Sequence, residues 1–198
     1  KLIEDLVDSA RIASGKLRLE MRPISLFDIV QTVYNSQKPA VDAKNITLEL
    51  DSPDTGGEVF GDSVRLQQVL TNLLTNAVKF TPEGGRIDIK YEIDSRVARI
   101  SVRDNGQGIS SEFLPYIFRQ FAQADEKVSR DRSGLGLGLV IVKTLVEKHG
   151  GGIQAESAGL GQGATFTVTL PLLETEARLP ADQPMSGNNG QSDVSQAD

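Results

Sequence analysis

The chain has 198 residues, with 21 Lys plus Arg against 27 Asp plus Glu, a formal net charge of −6 and no cysteine. That length suits one domain with appendages and a genuine core, and an acidic balance without basic clusters argues against a nucleic-acid footprint. The missing thiols exclude disulfides, thiolate metal sites and thiol redox chemistry. With no apolar stretch near the roughly 20 residues that span a bilayer and no visible signal peptide, the expected location is cytoplasmic, any membrane anchor of a parent protein lying elsewhere.

In chain order, Leu2, Ile3, Leu6, Val7, Ala10 and Ala13 recur at helical spacing, so residues 1 to about 14 read as a helix. Residues 15–23 read as a linker with a short extended piece, and Ser25 caps a second helix that runs to about Ala43. A strand follows at Ile46 to Leu50, then a turn through Pro53 to Gly57. The next helix carries Leu66, Val69, Leu70, Leu73, Leu74, Ala77 and Val78 on one buried face, capped by Asp62 or Ser63. At about 100° per residue, Arg65, Asn72, Asn76 and Lys79 fall on one line flanking that face and able to border a cleft. Asparagine offers a neutral oxygen to Mg²⁺, and Lys79 adds a phosphate-seeking charge. The same four residues also read as the polar rim of an ordinary amphipathic helix.

A strand pair, Arg86 to Ile93 and Val97 to Arg103, leaves Asp104 at a strand end, followed by Asn105-Gly106-Gln107-Gly108-Ile109. A carboxylate only accepts hydrogen bonds, which suits the amino group of adenine and rejects the carbonyl of guanine. Gly134-Leu135-Gly136-Leu137-Gly138-Leu139 opens an apolar helix that stops at Gly150-Gly151-Gly152, and backbone amides at such a start attract anions. No Gly-Lys-Ser or Gly-Lys-Thr occurs, so the common P-loop is absent. Gly159-Leu160-Gly161-Gln162-Gly163-Ala164 imitates a dinucleotide fingerprint, but an alternating strand follows, which makes it a hairpin turn. Strands at Ile153 to Ser157 and Ala164 to Leu170 close the domain. The elements predict a two-layer α/β sandwich with one sheet face covered. From about Glu174 the residues are Gly, Ser, Asn, Gln and Asp-rich and predict a disordered tail. The sole histidine, His149, sits before Gly150 at a helix end, where the helix dipole explains it.

These boxes, with Ile117-Phe118-Arg119-Gln120-Phe121 between the second and third, resemble in content and order the catalytic ATP-binding domain of sensor histidine kinases, a branch of the ATPase superfamily shared with gyrase B and the mismatch-repair ATPases. The wording Gln123-Ala124-Asp125 and the ending Gly161 to Phe166 are most similar to hybrid kinases. The resemblance implies a Bergerat-type fold with a mixed, mostly antiparallel sheet and helices on one face. It divides the chain into 1–22 (end of the second dimerisation helix and linker), 23–173 (catalytic domain) and 174–198 (tail). It implies ATP and Mg²⁺ as ligands, with Asn76 on the metal, Lys79 and Phe80 flanking the phosphates, Asp104 on the adenine amino group and Thr165 supporting adenine through water. Asn72, Gly106, Gly108, Ile109, Phe121, Gly134, Leu135, Gly136, Leu137, Gly138 and Leu139 complete the expected ATP site. Residues 110–133 form the expected lid, with Lys127, Arg130 and Arg132 as candidates to reach the phosphates.

The hydrolysing relatives place a glutamate where this chain has Asn72, and an amide cannot serve as general base. The expectation is therefore ATP held for transfer to a histidine on a dimerisation domain, with no phosphoacceptor histidine in this chain. Implied partners are that domain and a response-regulator receiver domain, which in a hybrid kinase belongs to the same polypeptide; the parent is expected to be a homodimer and the fragment monomeric. An anti-sigma-type serine kinase and a non-catalytic nucleotide-binding module are the alternatives.

Overall fold

The computed structural model describes residues 2–53, 56–120, 122 and 135–173. Among the described residues, eleven regular elements follow one another: α1 (Leu2–Ala13), β1 (Arg22–Ser25), α2 (Leu26–Asp42), β2 (Thr47–Asp51), β3 (Glu58–Gly61), α3 (Ser63–Phe80), β4 (Arg86–Ile93), β5 (Val97–Asp104), α4 (Gly138–Lys148), β6 (Gly152–Glu156) and β7 (Ala164–Pro171). A 3₁₀ turn spans Leu114–Tyr116. The expected tail, 174–198, lies outside the described residues.

The main sheet has strand order β2-β4-β5-β7-β6, parallel only between β2 and β4. Period-two patterning decides its faces. Ile87, Ile89 and Tyr91 of β4, Ala98, Ile100 and Val102 of β5, and Phe166, Val168 and Leu170 of β7 all point into the core. Arg86, Asp88, Lys90, Arg99 and Arg103 occupy the alternate, open positions. The helices α2, α3 and α4 cover the inward face, each burying one apolar stripe. This is the expected two-layer sandwich.

A second, two-stranded antiparallel sheet joins β1 to β3. The sequence reading missed β3, because four residues with only Val59 and Gly61 turned inward carry too little alternation to stand out. Both helix caps were legible. Ser25 Oγ accepts from the Asp28 N–H at 3.3 Å, and Asp62 Oδ1 accepts from the N–H groups of Val64 and Arg65 at 3.0 and 3.2 Å.

The role expected of His149 needs correction. The ring is buried, with 5% exposure, and bridges two elements: Nδ1 lies 2.7 Å from the Leu145 carbonyl, and Nε2 accepts from the Asp62 N–H at 3.0 Å. Those partners call for the neutral Nδ1–H tautomer, so His149 is a cross-link from the end of α4 to the cap of α3 rather than a charge answering a helix dipole. Asp62 Oδ2 in turn accepts from the Glu20 N–H at 3.0 Å and ties the linker to the same point.

Arg65 is also reassigned. It does not border a cleft; its Nη1 lies 2.7 Å from Asp8 Oδ2 of α1 and 2.8 Å from Gln68 Oε1. Gln68 Nε2 donates to the same Asp8 oxygen at 2.7 Å. Helix α1 thus buries a carboxylate against α3 while Ile3 and Leu6 of its apolar stripe stay 78% and 56% exposed. His149→Ala, which strands the Asp62 N–H, is expected to lower the unfolding free energy by about 1 to 3 kcal/mol, read as a lower denaturant midpoint at unchanged m-value.

Candidate nucleotide site

The alternation that buries Ala98, Ile100 and Val102 continues one step further than the sequence suggested. Asp104 is the last residue of β5, faces inward, and is only 6% exposed. It stands in register between Ile87 of β4 and Ala164 of β7. Its Oδ1 accepts from the Gly106 N–H at 2.9 Å, and the carboxylate also accepts from the backbone of Ala164. Burial raises the pKa of this group above the usual aspartate value, and the two backbone bonds offset part of the rise. Two bonds leave acceptor capacity on a carboxylate, so an amino group entering from the cleft has a partner waiting.

Two glycines make this loop possible. A Cβ on Gly106 would collide with the Phe80 carbonyl, the last turn of α3. Gly163 has φ 70°, and a Cβ there would run into the Asp104 carbonyl. The β6–β7 turn is therefore a buttress: Gly163 N–H donates to Gly106 O at 3.1 Å and Gly161 N–H to Gln107 O at 2.7 Å. Ser157, a residue the sequence reading did not single out, is the hub. It accepts from the Ile109 N–H at 3.0 Å and donates to Gly163 O at 2.7 Å. A hydroxyl between a strand and a glycine-rich turn is the signal that could have marked it.

Asn72 is 4% exposed, deeper than the cleft border expected of it, whereas Asn76, one turn on, is half-buried. Lys79 and Phe80 are exposed at the helix end, the Lys79 ammonium 5.2 Å from the Phe80 ring centroid. Helix α4 begins at Gly138 with no side-chain cap, and a Cβ on Gly138 would meet nothing within 4 Å. Among the described residues nothing caps these amides, and such a helix start fits a phosphate group. Leu137 is buried in the core and Leu139 packs against it, so these two anchor the loop, while Leu135 is exposed. Gly136 has the left-handed φ of 68°. Phe121, Gly134, Lys127, Arg130 and Arg132 lie outside the described residues.

One expectation changes here. Thr165 pairs with Arg103 and Glu156 on the open side of the sheet, because adjacent strand residues face opposite ways. It is Ala164 that stands beside Asp104, so the Thr165 side chain is turned away from the position where adenine was expected. Of the stretch expected to form the lid, the described part, residues 110–120, packs in part on the core: Ile117 is buried, Phe113, Leu114 and Phe118 lie against it, and Leu114 N–H bonds to Ser110 O at 2.9 Å. Among the described residues, no cluster of three His, Cys, Asp or Glu could hold a metal unaided. A divalent ion here would need ligand phosphates alongside the Asn76 amide, and this donor set fits magnesium.

Residues 61–174 match the model of the histidine kinase-, DNA gyrase B- and HSP90-like ATPases, more than half of the chain, and the chain belongs to that family. It is 40% identical over 180 residues to the sensor histidine kinase GacS of Pseudomonas protegens, covering 88% of this chain and 19% of that protein. Full-length ShkA in complex with AMPPNP matches with a TM-score of 0.74 at 31% identity, covering 86% of this chain and 35% of that one. Histidine kinase ThkA, solved with the response regulator protein TrrA, matches with a TM-score of 0.69 at 27% identity, covering 87% and 48%. The chain spans about a fifth of the length of the curated relatives it matches.

The buried carboxylate has a measurable signature. A raised folded-state pKa means that the native chain holds the Asp104 proton at pH values where the unfolded chain has lost it. Stability therefore falls as pH rises from the unfolded towards the folded value, and the deficit persists above both. Asp104→Asn keeps the Gly106 acceptor without the charge, so its melting temperature at neutral pH should exceed that of the wild type. The difference should shrink as the solution is acidified through the titration of Asp104.

Proposed function

We propose that this chain is the ATP-binding half of a protein-histidine kinase, presenting the γ-phosphate of ATP to a histidine on a dimerisation domain. The single observation that carries the reading is the inward-facing, hydrogen-bonded carboxylate of Asp104, placed to accept from an adenine amino group. Asn76 and Lys79 on α3 and the amides at the start of α4 then hold the phosphate end, with Phe80, Gly106, Gly108, Ile109 and Gly136 shaping the walls between. Magnesium, when bound, would neutralise charge on the phosphate oxygens. What remains for the protein is positioning, and no side chain here has to move a proton. Asn72 supports transfer over hydrolysis, because a buried amide cannot activate water.

The apolar stripe left exposed on α1 supports a helical partner, as the end of a dimerisation helix would need, over a serine-kinase module that lacks one. The parent protein is then a dimer whose phosphohistidine serves a response-regulator receiver domain, a partner class consistent with the ThkA–TrrA complex. A hybrid parent would carry that receiver itself.

Calorimetric titration should show ATP binding more tightly than GTP, and Asp104→Ala should lose about 1.5 to 3 kcal/mol of ATP binding. Asn76→Ala should remove the tightening by magnesium while keeping most of the adenine contact. Incubated with radiolabelled ATP, the chain should not label itself at His149. Adding a separate dimerisation domain should produce an acid-labile, base-stable phosphohistidine on that domain. Equal affinity for the two nucleotides, or labelling at His149, would sink the proposal.

A further inference from the structure

Away from the expected ligand contacts, polar groups converge at the C-terminal end of α3 on a residue from another element. Lys44, in the turn after α2, aims its ammonium at the carbonyl oxygens of Val78 at 2.7 Å, Thr81 at 2.9 Å and Lys79 at 3.4 Å. The last carbonyls of a helix have no partner within it and form the negative end of its dipole. A cation there answers both needs. The turn is shaped for this reach: Asn45 adopts φ 51° and its Nδ2 donates to Glu83 Oε1 at 2.9 Å. Backbone bonds from Gly84 N–H to Lys44 O, 3.1 Å, and from Thr47 N–H to Gly85 O, 2.8 Å, join the same two turns.

The gripped segment is also where the two halves of the nucleotide site meet. Lys79 and Phe80 lie in it. The Phe80 carbonyl accepts from the Gln107 N–H at 3.1 Å and is the group that Gly106 approaches too closely for any side chain. A shift of that carbonyl would be passed directly to the loop that carries Asp104. We propose that Lys44 is a positioning residue for nucleotide binding, which fixes the last turn of α3 and thereby sets both the direction of Lys79 and the support of the Asp104 to Gly108 loop.

This rests on the nucleotide-binding reading above, and the test separates the two. Mg-ADP would be titrated calorimetrically into the whole chain as wild type, Lys44→Met, Lys44→Arg and Leu170→Ala. Leu170 is buried at the end of β7 remote from Ala164, so its truncation lowers stability at the end of the sheet away from the Asp104 loop. At a temperature where all four are folded by circular dichroism, Lys44→Met should bind about tenfold more weakly, the scale of a lost charged hydrogen bond. Lys44→Arg, which still donates to carbonyls, should recover most of that loss, and Leu170→Ala should bind like the wild type. If Lys44→Met does not fold, Lys44→Gln is read in its place. Wild-type affinity in the Lys44→Met protein, or an equal loss in Leu170→Ala, overturns the inference alone. A wild type that does not bind Mg-ADP overturns it together with the functional reading.

Discussion

A carboxylate occupying an inward position at the end of an apolar strand face is the constraint around which the rest of the site is arranged. Ala98, Ile100 and Val102 fix the phase of β5, and the next inward place falls to Asp104. Burying that charge opposes folding, so the neighbouring backbone is bent to meet it. Gly106 turns an N–H back on to Oδ1, Gly163 passes against the Asp104 carbonyl, and Ser157 holds the turn that contains Gly163. Two segments that look like separate glycine motifs in the sequence are one folded unit. Functional groups that reduce stability in this way are usual where a ligand, rather than the protein, supplies the missing partner.

Helix α3 shows a complementary principle. Its apolar stripe decides which face it buries, but hydrophobic contact is not directional and resists sliding along the axis only weakly. Directional bonds settle the axial position: the Asp62 cap and His149 at one end, Arg65 with Asp8 of α1 beside it, and Lys44 at the other. A helix that carries Asn72, Asn76 and Lys79 needs such fixing, since the ångström-scale placement of its polar groups is what a bound nucleotide would read.

Much of this was legible in the residues. The 3.6-residue stripes of α2 and α3, the alternation of β4, β5 and β7, the two caps and the hairpin identity of Gly159 to Gly163 are local patterns, and local patterns survive in a string of letters. What escaped depends on contacts between distant segments. Nothing adjacent to Lys44 reveals that it ends at Val78, and nothing near His149 points to Asp62. A phase error also arises within a single residue: Thr165 was assigned a role that the register gives to the place of Ala164. Short β3 had too few residues to show a period.

The pairing of β5 with β7 sets the terms on which the intervening chain can change. A one-residue slip of β7 along β5 would turn Phe166, Val168 and Leu170 to the open face and bring Thr165 to the place of Ala164 beside Asp104. One register thus buries the core and completes the Asp104 loop, so a change of length in the Gly159 to Gly163 turn cannot be absorbed by sliding β7 without losing both.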